Sequence, residues 1–296
     1  MDPALLVLGF ADSSAQANHL ANLLDIDYVE ISLHKFPDGE SKIQLPDSLP
    51  SHVILYRSLN IPNDKLIESL LVSRTAKKFG CKTLTLVCPY LCYMRQDIAF
   101  APGEAVSQSI IGEFLSTIFD NIITVDPHLH RTHNLSDAIS VKNAISLSAA
   151  QLIGEFLGLK FSSAILIGPD SESEPLLKNT ALASGFDYYI AEKTRQGDFE
   201  VNVTIPGIFP NTELAILVDD IASTGKTLIC AAQALKRQGV KHIHCVVTHA
   251  MLSVDALSLM QNAGIEHIWS TDSITHWSNK IGLEKLLAQA VADLVL

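Results

Sequence analysis

The chain is short of charge, and shorter still of positive charge. Of its 296 residues 18% are charged, with 21 Lys and Arg against 32 Asp and Glu and a formal net charge of -11. Nucleic-acid binding needs a basic face to neutralise phosphates, so this balance argues against a nucleic-acid partner. An anionic substrate would have to be held by local Lys or Arg, by backbone N–H groups or by a metal. No run of 18 apolar residues is present to span a membrane, and the opening MDPALLVLGFADSSAQ lacks the basic start and long apolar core of a secretory leader. Five cysteines (Cys81, Cys88, Cys92, Cys230, Cys245) form no Cys-x-x-Cys pair. An odd number in apolar surroundings is expected as buried, reduced thiols, and the expected location is the cytoplasm.

What is present is apolar and periodic. Hydrophobic residues make up 48% of the chain, enough for a folded protein of two domains. Short β-rich runs at 5–10, 28–36, 52–59, 83–90, 121–127, 163–169, 187–193, 213–219, 242–248 and 266–271 alternate with helical patterns. The helical patterns lie at 13–24, 64–79, 104–118, 147–157, 173–184, 225–238, 253–263 and 283–294. Runs such as TLTLVCP and AILVDD are apolar at nearly every position, as strands buried on both faces are, and predict parallel α/β sheets. Gly80, Gly239 and Gly264 each follow a helical run, the place of a C′ glycine. The halves echo one another: Leu86–Tyr90 reads like Leu166–Asp170, and Ile123–Pro127 like Ile216–Asp220. This predicts a duplicated α/β unit with a boundary near 143–147. The stretch EKTRQGDFEVNVTIPG is extra to the second half and reads as an added β-hairpin or flap.

Residues 216–227, ILVDDIASTGKT, carry the most chemistry. A nucleotide-binding P-loop ending at Gly225-Lys226-Thr227 would require glycine at 220, where this chain has Asp220. Two acids would also repel the β- and γ-phosphates. A buried strand instead delivers Asp219 and Asp220 to its carboxyl end, the ligand side of an open α/β sheet. The Ser223–Thr227 turn then opens a helix whose N–H groups and dipole favour an anion. Acids for vicinal hydroxyls beside a turn for phosphate fit a sugar phosphate. Capping of the helix would account for one acid, but not for both.

That strand and turn resemble the phosphoribosyl-pyrophosphate (PRPP) signature shared by phosphoribosyltransferases and ribose-phosphate pyrophosphokinases. Six more segments follow the order and rough spacing of the pyrophosphokinase motifs: Phe36-Pro-Asp-Gly-Glu40, Tyr93-Met-Arg-Gln-Asp97, Pro102-Gly-Glu-Ala105, Asp126-Pro-His128, Gly168-Pro-Asp170 and Glu192-Lys-Thr-Arg195. The chain is thus similar to the pyrophosphokinase (PRPP synthetase) family, and most similar to its archaeal-type branch. The resemblance implies two phosphoribosyltransferase-type domains, an ATP-side one at 1–145 and a ribose-5-phosphate-side one at 146–296, whose last helix can return to the first. It implies transfer of the diphosphoryl group of MgATP to the 1-hydroxyl of ribose 5-phosphate, giving PRPP and AMP for nucleotide biosynthesis.

By the same resemblance ATP meets Phe36, Asp38, Glu40, Arg95, Gln96 and Asp97, with Phe36 stacked on adenine. Ribose 5-phosphate meets Asp219, Asp220, Ser223, Thr224, Gly225, Lys226 and Thr227. Magnesium involves His128 and Asp170, and Lys193 and Arg195 stabilise the developing phosphate charge from the flap. In the family the Phe-Pro-Asp-Gly-Glu segment comes from a neighbouring subunit, which implies a homo-oligomer. Taken without the family, Phe36 is a strand-end core residue before a turn, and Lys193 and Arg195 are solvated charges. The run Asp126-x-His128-x-His130-x-x-His133 also suits zinc or nickel, although magnesium prefers oxygen. His130 and His133 have no assigned role.

Several positions depart from the family pattern. Ile98 and Ala99 stand where basic residues are usual, and Ser171-Glu172-Ser173-Glu174 adds bulk and two negative charges where glycine is common. Lys226 replaces a small residue in the phosphate turn. Two readings therefore stand, an active diphosphokinase and a weakly catalytic regulatory or associated subunit; a PRPP-consuming phosphoribosyltransferase is disfavoured by the ATP-side motifs.

Overall fold

The computed structural model describes residues 5–196, 200–206 and 212–295, with the side chains of 193–203 outside that description. The chain divides into two compact units, Met1–Leu147 with Leu283–Leu296, and Ser148–Gly282.

The first unit is built on a parallel sheet of β1 (Leu5–Gly9), β2 (Asp27–Glu30), β5 (His52–Tyr56), β6 (Thr83–Cys88), β7 (Asn121–Val125) and β8 (Asn143–Leu147), in the order β2-β1-β5-β6-β7-β8. Its helices are α1 (Ser14–Leu24), α2 (Pro62–Lys78), α3 (Ser107–Ser116), α4 (Leu135–Ala138) and the returning α9 (Glu284–Val295), which packs on α1. A separate antiparallel hairpin joins β3 (Ser32–Lys35) to β4 (Ser41–Gln44). The central strands β1, β6 and β7 are buried almost throughout, as their unbroken apolar runs require. Leu8, Phe10, Leu55, Leu86, Leu115 and Ile122 anchor the core on one face.

The second unit repeats this plan. Its sheet runs β10-β9-β13-β14-β15-β16, from β9 (Ile165–Gly168), β10 (Asp187–Ile190), β13 (Leu214–Ala222), β14 (His242–Ala250), β15 (Ile265–Thr271) and β16 (Asn279–Ile281). Helices α5 (Ala150–Lys160), α6 (Glu174–Ser184), α7 (Lys226–Arg237) and α8 (Val254–Asn262) flank it, and β11 (Glu192–Gln196) pairs with β12 (Glu200–Thr204) as a second hairpin. Leu217, Leu228, Leu235, Cys245, Val247 and Met260 form the core.

The duplication is real, but its register differs from the sequence echo. Strand order equates β1 with β9, β5 with β13 and β6 with β14, whereas the echo paired β6 with β9 and β7 with β13. Short strands buried on both faces converge on the same Val, Ile and Leu composition, so their likeness reports burial and not position. Both units carry a hairpin in the same place, so β11–β12 is not an addition confined to the second half. The apolar run 28–36 is split at Ile31 between β2 and β3, which belong to different sheets. Cys230 is half-buried, whereas the other four thiols are buried. Gly80, Gly239 and Gly264 all take positive φ at helix ends, as expected.

Candidate active site

In the second unit β13 runs on beyond the core. It is buried from Ala215 to Val218, and Asp219, Asp220 and Ile221 then emerge half-buried while pairing with β14 continues to Ala222 opposite Ala250. Asp219 Oδ1 accepts a hydrogen bond from the Asp220 N–H at 3.0 Å. The chain then turns into α7 through Gly225, its N-cap, at φ 70. Left-handed φ favours glycine, and a Cβ here would also lie 2.8 Å from the buried Met260 Sδ. Among the described residues the N–H groups of Ser223, Thr224 and Gly225 have no backbone partner outside helices and strands. Thr224 Oγ1 accepts from the Lys226 N–H at 3.5 Å. Thr224 and Lys226 are exposed, and Ser223 and Thr227 half-buried. The seven expected ribose-phosphate residues therefore form one continuous rim, with acids at one end and the start of a twelve-residue helix at the other.

Asp170 follows β9, the neighbour of β13, and its turn packs on β13. Its Oδ1 accepts from the Glu172 N–H at 3.2 Å and its carbonyl from Ser173 Oγ at 2.6 Å. Ser173 is 3% exposed and fills the space beneath Gly168. The bulk expected from Ser173 is therefore turned into the protein, and Glu172 is left as an exposed negative charge. Lys193 and Arg195 lie on β11, in register with Val203 and Val201; their side chains are outside the described set.

In the first unit Phe36, Asp38 and Glu40 share the tip of the β3–β4 hairpin. The tip is closed by hydrogen bonds from Phe36 N–H to the Glu40 carbonyl and from Gly39 N–H to the Phe36 carbonyl, both 2.9 Å, and Asp38 Oδ1 accepts from Glu40 N–H at 3.1 Å. Phe36 is 41% exposed, so it is not the core residue its strand-end position suggests without the family. Its ring meets His34 edge-on at 4.7 Å.

Two loops meet at the carboxyl edge of the first sheet. Asp97 accepts hydrogen bonds from the Arg131 N–H at 3.1 Å and Arg131 Nη1 at 3.0 Å. Burial works against its charge, but these donors and the nearby Arg131 and His130 outweigh it and hold the carboxyl below its ordinary value. A depressed pKa means the tie is intact above the ordinary carboxylate range and is lost as pH falls through the lowered value. Gln96 Oε1 accepts from Ser107 Oγ at 3.2 Å, and buried Gln108 links Met94 to Thr132. Arg95, Ile98 and Ala99 are exposed. His128 and His130 face each other through Nε2 atoms 3.0 Å apart, with rings at 88°. Two nitrogens at that separation are at the spacing of neighbouring ligands on one metal ion, so the pair can serve a metal or share one proton. Tyr93, Asp126 and His130 all take positive φ without being glycine, backbone strain of the kind concentrated at functional loops.

Arg131 and Gln108 had no signal in the sequence. Their importance comes from partners 34 and 24 residues away.

A model of the N-terminal domain of ribose phosphate pyrophosphokinase matches residues 5–118, and one of a phosphoribosyl synthetase-associated domain matches 201–295. The chain is 30% identical over 293 residues to a ribose-phosphate pyrophosphokinase of Methanopyrus kandleri, covering 98% of this chain and 99% of that protein. It is 31% identical over 277 residues to ribose-phosphate pyrophosphokinase 2 of Archaeoglobus fulgidus, covering 93% and 96%. Its fold matches the crystal structure of phosphoribosylpyrophosphate synthetase from Mycobacterium smegmatis with a TM-score of 0.84 at 21% identity, over 98% of each chain.

Proposed function

This chain belongs to the ribose-phosphate pyrophosphokinase family, and from that membership we propose how its residues divide the work. Its activity is that of a ribose-phosphate diphosphokinase, moving the diphosphoryl group of ATP to the 1-hydroxyl of ribose 5-phosphate with release of AMP. The end-to-end match to pyrophosphokinases carries this conclusion. It disfavours the associated-subunit and phosphoribosyltransferase readings.

In the proposed division Asp219 and Asp220 accept from the ribose hydroxyls, and residues 223–227 hold the 5-phosphate with backbone N–H groups, hydroxyls and the α7 dipole. The hairpin tip supplies Phe36 for adenine, with Asp38 and Glu40 beside it. Arg95 and Gln96 bind the rest of ATP, and Asp97 fixes their loop through Arg131. Lys193 and Arg195 answer the charge that develops on the transferred phosphates, since such transfer depends on positioning and neutralisation. His128 and Asp170 are the proposed magnesium-associated residues. A magnesium ion that keeps most of its waters needs only one or two protein oxygens, and a carboxylate at the edge of β9 fits that need. Bound there, the ion would neutralise phosphate oxygens. A homo-oligomer in the cytoplasm completes the reading, and no helix among the described residues is long and apolar enough to cross a membrane.

An assay with ATP, magnesium and ribose 5-phosphate tests the activity: AMP and PRPP should form in equal amounts. Absence of AMP while ribose 5-phosphate still binds would restore the associated-subunit reading. Glu172→Gly should lower the ribose 5-phosphate KM or raise turnover about threefold, the scale of one exposed like charge. Ser173 is best left intact because it is buried. No change in either parameter would remove Glu172 from the rim of the site.

A further inference from the structure

The β3–β4 hairpin stands out from the first unit with all four β3 residues exposed, yet two residues flanking its tip are tied to the body through one carboxylate. Glu68 Oε1 accepts from Lys35 Nζ on β3 and from Ser41 Oγ on β4, each at 2.9 Å. Lys35 also reaches Asp64 at 2.6 Å, one turn earlier on the same face of α2. Glu68 is 1% exposed, and its Oε2 is held by the buried Arg57, whose guanidinium lies 3.6 Å over the Phe10 ring.

The duplicated fold explains this cation. Gly9 and Gly168 accept equivalent hydrogen bonds from Ile31 and Ala191, and Tyr56 and Val218 occupy matching registers. Arg57 therefore occupies the position in the first unit that Asp219 occupies in the second, and Ser58 that of Asp220. Where the second unit presents acids to a ligand, the first has an inward cation that holds the hairpin's anchor.

We propose that Glu68 is a positioning residue for ATP: held by Arg57, it binds both flanks of the Phe36–Glu40 tip and so sets where Phe36, Asp38 and Glu40 meet the nucleotide. The assignment rests on the tip's role in ATP binding proposed above. Glu68→Gln keeps the side chain's size and an acceptor but removes the charge that Lys35 and Arg57 share. Any change at Glu68 also weakens its pair with the buried Arg57, so Lys35→Met with Ser41→Ala, which leaves that pair intact, approaches the same tie from the hairpin.

In the whole enzyme Glu68→Gln should raise the ATP KM about tenfold, the scale of a modest misplacement, leaving the ribose 5-phosphate KM and far-UV circular dichroism unchanged. Amide hydrogen exchange at Phe36 and Gly39 should accelerate. Lys35→Met/Ser41→Ala should reproduce both effects, and adding Glu68→Gln to that pair should contribute little more. Equal changes in both KM values, or unaltered exchange at the tip, would overturn the proposal. Phe36→Ala distinguishes the two layers. If it raises the ATP KM and Glu68→Gln does not, positioning by Glu68 fails. If Phe36→Ala has no effect, the ATP assignment of the tip fails, and the positioning role of Glu68 falls with it.

Discussion

Lys193→Ala is expected to lower kcat by about two to three orders of magnitude, the usual cost of removing one preorganised group that answers transition-state charge. Ribose 5-phosphate affinity should be nearly unchanged, because the cradle proposed to hold it is built from β13 and the start of α7 and contains no residue of β11. A group used only in the transition state lowers kcat and kcat/KM together, whereas one used in both states raises KM. Steady-state kinetics with direct measurement of ribose 5-phosphate binding separates them. An unchanged kcat would take Lys193 out of the catalytic set, leaving Arg195 as the flap's contribution. The chain's acidity gives the prediction weight: with a net charge of -11, few cations are available to balance a triphosphate.

The opposite signature is expected at the cradle. Asp219→Asn with Asp220→Asn should weaken ribose 5-phosphate binding about a hundredfold, since each hydrogen bond between a hydroxyl and a carboxylate contributes about 1.5–3 kcal/mol. ATP binding should be little affected. Asparagine preserves size and one acceptor on each side chain, so the loss measures charge. Calorimetry of ribose 5-phosphate binding, with thermal unfolding as a control, checks this. The register predicts a contrast in the first unit: Arg57 sits where Asp219 would, so no second ribose 5-phosphate should bind. A stoichiometry of two per chain would contradict the division of roles between the units.

Much of this architecture was legible in the residues. The apolar runs at 83–90, 121–127 and 213–219 became buried parallel strands because a strand covered on both faces has no polar position to spare. The strand end and helix start of the proposed cradle were legible for the same local reason: Asp219, Asp220 and the Ser223–Thr227 turn are adjacent in the chain. The small strands β4, β8 and β16 were missed. Three to five residues at an edge, partly exposed, carry no periodicity strong enough to stand out from a loop.

The sequence by itself determined the α/β class, the order of motifs and the strand–turn–helix that carries the proposed cradle, all of which depend on neighbours within a few residues. Only the tertiary structure decided which strands of the two halves correspond, that Ser173 turns inward, that Arg131 holds Asp97, and that Arg57 and Glu68 anchor the hairpin. Those relations join residues that strand order brings together from distant parts of the chain. Sheet order and register, not local composition, decide which of many similar buried strands become neighbours.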